Sequence, residues 1–281
     1  MVNACRPLSL EEALVMRSRE ATTVFAGGSD LMVKYRQWSG VTPDFPGTVL
    51  FVGHLPELQR LDREKDAWKI GAACTIAQIL QDQGIPDHLK LPLLSMASPS
   101  IRNVATLGGN ICNASPAGDT LPMLYALDAR LTLQSRDNAR TVAIADFITG
   151  PGKTILAADE ILTEITIPPG DWPRVYYKKA GTRRANSVSK VTFYAVARFD
   201  GDRIADIRMA FGAAAPTVVR NPAAEALLQN IDKNQVPALL ETLTTHYADA
   251  LRPIDDLRST GKYRQQTALR ILAHFLRREL A

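Results

Sequence analysis

Cysteine is scarce in this chain. Cys5, Cys74 and Cys112 stand far apart with no CxxC pair, which excludes a disulfide framework and a closed zinc site. Three thiols are also too few for an iron–sulfur cluster held by four. His54, His88, His246 and His274 are equally scattered, with no HExxH or other pair at ligand spacing. No metal site is expected, and redox chemistry here would need an organic cofactor. Long apolar runs are missing too. The longest stretch without a charge, Asn103 to Gly118, is rich in Gly, Asn, Ser and Pro, unlike the ~20 apolar residues of a membrane helix. Arg6, Glu11 and Glu12 come early, before any apolar run, so no signal peptide is expected and the cytoplasm is the expected location.

Charge of one sign is nearly balanced. The net charge of +4 comes from 33 basic and 29 acidic residues, with much of the excess between Arg258 and Arg278. No basic stripe interleaved with stacking aromatics appears, so nucleic-acid binding is not expected, and the basic helix reads as a solvated face. What is present is an ordinary globular composition: 281 residues, 46% hydrophobic and 22% charged, enough for two domains with separate cores.

Along the chain, Ser9-Leu-Glu-Glu12 reads as a capping box opening a helix from about Leu10 to Arg17. Thr22 to Phe25 and Thr48 to Val52 read as strands, closing a small α/β unit of about 55 residues. A second unit follows, with strands at Trp68–Ala72, Ala129–Ser135 and Glu160–Ile167, a helix capped by Thr75, and a short helix from Leu91 to Ser98 ended by Pro99. Pro168-Pro-Gly-Asp-Trp-Pro173 is the strongest linker signal and places a domain boundary near residue 170. Beyond it, Val191–Phe199 and Ile204–Gly212 form an expected antiparallel pair joined at Asp200-Gly-Asp202. Helices at Pro222–Gln229, Val236–Leu251 and Tyr263–Leu280 are expected to finish the chain.

Two glycine pairs carry the most chemistry: Ala26-Gly27-Gly28-Ser29-Asp30 and Thr106-Leu107-Gly108-Gly109-Asn110. Consecutive glycines let a turn aim its amides at one point and let an anion approach where Cβ atoms would stand. Ser29, Thr106 and Asn110 add donors, so a phosphate or pyrophosphate is the expected ligand, although a lone pair of this kind is more often a plain turn. Neither pair is the GxGxxG dinucleotide fingerprint. Gly150-Pro-Gly-Lys-Thr154 is not a Walker loop, because Phe147 stands where the first glycine is required, and it reads as a tight turn.

Together with Ile101-Arg-Asn-Val-Ala-Thr-Leu-Gly-Gly-Asn-Ile111, Ser115-Pro-Ala-Gly-Asp119-Thr-Leu-Pro122, Asp159-Glu-Ile-Leu162, Phe211-Gly-Ala-Ala-Ala-Pro216 and Thr260-Gly-Lys-Tyr-Arg264, these motifs resemble the FAD-binding subunit of the molybdenum hydroxylases. That family includes the flavoproteins of xanthine dehydrogenase and carbon monoxide dehydrogenase. The resemblance covers nearly the whole chain and runs to bacterial xanthine dehydrogenase subunits through Ile101–Asn113 and the Gly150 segment. It implies an α+β fold: an FAD-binding domain of residues 1–170 made of two α+β subdomains (about 1–55 and 56–170), then a small α+β C-terminal domain, 171–281, of antiparallel strands and helices. It implies that Ala26, Gly27, Gly28, Ser29, Asp30, Leu31, Thr106, Gly109, Asn110 and Asp119 contact FAD. In this reading the glycine turns hold the pyrophosphate, and Asp119 accepts from a ribose or ribityl hydroxyl, or else merely caps the helix ahead of Thr120-Leu-Pro122.

The same resemblance places Leu162 on adenine, although a Leu in an alternating strand is core by default. It places Lys178 near the flavin as a cation for the reduced ring, with Lys179 the neighbour that a one-residue shift would select. Cys112 falls where an apolar residue lies close to the isoalloxazine, and Met96 either covers a flavin face or fills core. No general base or nucleophile is nominated, as befits an electron relay. The partners implied are a molybdopterin-binding large subunit and a 2Fe-2S small subunit, in a dimer of heterotrimers, with NAD⁺ or another acceptor taking the electrons. The four-cysteine loop that some relatives carry in this subunit is excluded. Two other readings compete: a stand-alone FAD oxidase or reductase of the related flavin fold, similar to the cell-wall precursor reductase, and a structural module that has lost FAD. The intact glycine pairs speak against the second.

Overall fold

A computed structural model describes residues 2–36, 38–183 and 186–280. At the start of the chain the Ser9 hydroxyl accepts from the Glu12 amide at 3.2 Å and caps the helix Leu10–Arg19. The Glu12 carboxylate answers back to the amide of Leu8 at 2.6 Å, one residue earlier than a strict capping box. The strands Ala4–Cys5, Thr48–Phe51 and Thr22–Phe25 lie parallel in that order, and Ala13 and Leu14 of the helix pack with Leu50, Val52 and Leu55.

The following residues build a five-stranded antiparallel sheet in the order Leu61–Glu64, Ala67–Gly71, Ile161–Ile167, Arg130–Gln134, Ala139–Ala143. A bulge falls between Leu162 and Glu164 in the pairing with Arg130–Gln134. Just before Ile161–Ile167, Glu160 receives both arms of Arg140, at 2.7 and 2.9 Å, and the Ala157 amide at 2.9 Å. The Arg140 fork, and after it the Ala157 amide, holds the Glu160 carboxyl below the usual carboxylate range. A group lowered in the folded state contributes stability that is present above its unfolded pKa and is lost as pH falls through the folded one. Glu160→Gln is therefore expected to cost roughly 1.5–3 kcal/mol at neutral pH and to flatten the acid limb of a Tm-against-pH series. An unchanged acid limb would show that this pair does not anchor the sheet.

The described residues gather into two compact units. One comprises Met1–Pro86, Ala97–Ala114 and Ala129–Pro169, and the other Asp87–Met96, Ser115–Asp128 and Gly170–Ala281. The Pro168–Pro173 run lies where the last segment of the first unit passes into the second. Two segments far upstream, 87–96 and 115–128, nevertheless pack with the second unit.

The second unit is centred on an antiparallel sheet, Arg174–Ala180, Val191–Asp200, Arg203–Gly212 and Val219–Arg220 in sequential order. Its hairpin turns at Gly201, whose φ is +57°. Residues Val191 to Ala197 are buried without interruption, because both sheet faces are covered. Phe193 and Phe211 look toward the helices Leu240–Ala250 and Gly261–His274, while Tyr194 and Thr192 look toward Asp87–Leu94 and Leu121–Ala126.

Helix Asp87–Leu94 corrects the expected Leu91–Ser98. Pro92 sits inside it, and the His88 carbonyl that Pro92 leaves without a helical donor accepts from the Tyr194 hydroxyl at 3.2 Å. Pro99 does not end a helix but opens the turn Pro99–Arg102, capped by Ser98. The expected Val236–Leu251 helix divides into 3-10 turns over Lys233–Leu239, which contain Pro237, and the helix Leu240–Ala250. The last helix, Gly261–His274, widens into a π turn over Phe275–Glu279.

Candidate functional site

In the first unit, strand Thr22–Phe25 runs into Ala26-Gly-Gly-Ser-Asp30 and the short helix Leu31–Tyr35. Gly28 has φ +70°, and a Cβ there would overlap the Phe25 ring, which is packed on Phe51 at 5.0 Å between centroids. A Cβ on Gly27 would overlap the carbonyl oxygen of Val104. The first glycine turn thus lies directly on the two residues that precede Thr106. Among the described residues, the amides of Gly27, Gly28, Ser29, Asp30 and Leu31 donate to no protein acceptor, nor does the Ser29 hydroxyl. A run of unpaired N–H groups, half-buried except at exposed Asp30, is a donor set for an anion.

The second glycine pair is not a turn. Thr106 caps a helix, Leu107–Asn113, whose first turn contains Gly108 and Gly109. Here capping outweighs the poor helix propensity of glycine. The Gly108 amide donates to the Ala72 carbonyl at 3.0 Å, and a Cβ on Gly108 would stand 2.6 Å from that oxygen. The Gly109 amide donates to Thr106 Oγ1 at 3.1 Å and the Asn110 amide to the Thr106 carbonyl at 3.1 Å. Both glycine amides are therefore used inside the protein, contrary to the expectation that both pairs aim amides at one anion. What this segment leaves open to a ligand is the bare Cα of exposed Gly109, with the buried residues Thr106 and Asn110 beside it in the chain.

Leu162 is buried opposite Leu133 in the five-stranded sheet. Cys112 is half-buried in the helix Leu107–Asn113. Burial pushes its thiol up to about 12 against the opposing pull of Arg17, which disfavours the thiolate at neutral pH. Arg17 is a residue the sequence reading missed. It donates to the Glu160 carbonyl at 2.6 Å and to the Thr22 carbonyl and hydroxyl at 3.0 and 2.9 Å, tying the first helix to both sheets. A depression elsewhere in this unit, bordered by Asn3, Glu20, Thr42, Asp44 and Thr48, contains none of the candidate residues, and its two carboxylates repel an anion.

In the second unit, Asp119 precedes the helix Leu121–Ala126 but does not cap it, since its oxygens go elsewhere. Oδ2 accepts from Lys179 Nζ at 2.7 Å and Oδ1 from the Ser189 hydroxyl. Burial pushes the Asp119 carboxyl up, and the Lys179 cation and Ser189 oppose the shift. Lys178, one residue away in the strand, points to the opposite face, is exposed, and has no partner among the described residues. The structure thus joins Asp119 to Lys179 rather than to Lys178. Met96 is 8% exposed.

Both parts of the chain match known families. Residues 1–170 match the FAD binding domain in molybdopterin dehydrogenase. The chain belongs to that flavin-binding family. Residues 175–278 match the CO dehydrogenase flavoprotein C-terminal domain. FAD is accordingly its cofactor, and the family is one of oxidoreductases.

The chain is 32% identical over 268 residues to the xanthine dehydrogenase FAD-binding subunit of Escherichia coli O157:H7, covering 92% of this chain and 89% of that one. It is 30% identical over 264 residues to the nicotine 6-hydroxylase medium subunit of Paenarthrobacter nicotinovorans, covering 92% and 90%. Among solved structures, reconstituted CO dehydrogenase from Oligotropha carboxidovorans superposes with a TM-score of 0.90 at 22% identity, covering 100% of this chain and 98% of that one. The α+β flavin fold is thereby shared. Among the described residues no helix is long and apolar enough to cross a membrane.

Proposed function

We propose that this chain is the electron-transfer subunit of a molybdenum hydroxylase of the xanthine dehydrogenase type. It receives electrons from a 2Fe-2S small subunit, which is served by a molybdopterin-binding large subunit, and delivers them to NAD⁺ or another acceptor. It works in the cytoplasm in a dimer of heterotrimers. The observation that carries the reading is the row of unpaired amides from Gly27 to Leu31, which fits the pyrophosphate of the family's cofactor. When bound, FAD supplies the conversion between single-electron and paired-electron transfer.

The residues of the chain bind and tune. Ala26 closes the strand that delivers the turn. The amides of Gly27, Gly28, Ser29, Asp30 and Leu31 donate to the pyrophosphate, with the Thr106 hydroxyl and the Asn110 side chain beside bare Gly109. Leu162 is assigned to the adenine. Asp119 is assigned to a ribose or ribityl hydroxyl, and exposed Lys178 to the negative charge of the reduced ring.

The test is spectroscopic and then compositional. The purified full chain is expected to show flavin absorbance and to release FAD on heat denaturation. Co-expressed with its iron–sulfur and molybdopterin partners, it is expected to co-purify with both and to be reoxidised by NAD⁺ after substrate reduction. A colourless chain that cannot be reconstituted with FAD refutes the reading. A flavin-loaded chain that turns over without partners transfers it to the stand-alone oxidoreductase class.

A further inference from the structure

We propose that Lys179 is a positioning residue for flavin binding: it holds the Asp119 carboxylate ionised and oriented so that the free lone pairs of that carboxylate can accept from the cofactor. The proposal rests on the assignment of Asp119 as an FAD contact. Lys179 Nζ lies 2.7 Å from Asp119 Oδ2, and both side chains are nearly buried, at 8% and 10% exposure. The ammonium is itself fixed by a second hydrogen bond, to the Ser95 carbonyl at 3.1 Å. Ser189 donates to Oδ1. An ionised carboxylate has about four acceptor positions, so one donor on each oxygen leaves each oxygen able to accept again.

Position decides the choice of lysine. Tyr177 and Lys179 share the sheet face that meets Ser95, since the Tyr177 and Ser95 hydroxyls stand 3.0 Å apart. Tyr176 and Lys178 share the other face, where Tyr176 packs on Phe275 at 5.5 Å. Without the ammonium, a carboxyl this deeply buried lowers its cost by taking up a proton. One oxygen then becomes a donor, and the acceptor that a sugar hydroxyl requires is weakened.

The experiment is titration of FAD into the deflavinated full chain, together with its melting temperature, for Lys179→Met, Lys179→Arg, Asp119→Asn and the double variant Asp119→Asn/Lys179→Met. Lys179→Met is expected to bind FAD about ten- to a hundredfold more weakly, and Lys179→Arg is expected to remain near the parent. The double variant, which carries no unpaired buried charge, is expected to recover most of the melting temperature but not the FAD affinity. It keeps the test decisive if a single substitution unfolds the chain. Weak binding by Asp119→Asn together with parental binding by Lys179→Met overturns the role of Lys179 alone. Parental FAD binding by the double variant overturns the Asp119 contact itself, and this proposal with it.

Discussion

Gly27→Ala is expected to yield a chain that no longer retains FAD. The added methyl would overlap the carbonyl oxygen of Val104 and press on the Cα of Ala105, and neither backbone atom can swing away as a flexible side chain would. Overpacking of this kind costs typically about 1–3 kcal/mol. Relief requires either the Gly27–Leu31 amide row or the Val104–Ala105 segment to shift, and the latter leads directly into Thr106. Strain passed to the amide row proposed to hold the pyrophosphate is expected to lower FAD affinity roughly ten- to a hundredfold.

Gly28→Ala is expected to act in the same direction, because φ +70° and the Phe25 ring both disfavour a Cβ. Calorimetric titration of FAD into each deflavinated variant, with circular dichroism as a check on folding, measures the effect. A Gly27→Ala chain that folds and binds FAD like the parent would remove the first glycine turn from the cofactor site.

Phe193→Ala is expected to be the most destabilising core substitution in the second unit, by about 3–5 kcal/mol. Phe193 is fully buried in the central strand. Its ring lies 4.5 Å from Phe211, 5.5 Å from Phe275 and 6.0 Å from Tyr176, so truncation opens a cavity between the sheet and the last helix. The surrounding residues belong to regular elements and can relax little to fill it. Urea denaturation followed by far-ultraviolet circular dichroism gives the loss. Phe193→Leu, which keeps most of the volume, is expected to cost less than about 1.5 kcal/mol. A Phe193→Ala loss under about 1 kcal/mol would show that this aromatic cluster does not organise the unit.

Much of the local structure was legible because its causes are local. Ser9 and Thr75 cap the helices expected of them, since a hydroxyl three residues ahead of a free amide needs nothing from the rest of the chain. The strands at 22–25, 161–167, 191–200 and 203–212 follow β-branched and alternating runs, and the hairpin follows Asp200-Gly201. The Gly108-Gly109 pair starts a helix instead of making a turn, and the reason is non-local. Glycine pairs usually break helices, but here the Ala72 backbone approaches so closely that a side chain at 108 would not fit, and the Thr106 cap supplies the initiation.

The first glycine turn was legible in consecutive residues, because backbone permissiveness is local, and the resemblance of the motifs to a known family carried the α+β class and FAD. Which lysine meets Asp119, and which upstream segments join the second unit, depend on long-range packing. In Tyr176-Tyr-Lys-Lys179 a shift of one residue exchanges like for like, so the pattern cannot tell the two sheet faces apart. The packing of 87–96 against one face and of the last helix against the other breaks that symmetry. It buries Lys179 beside a carboxylate from sixty residues upstream and leaves Lys178 in water.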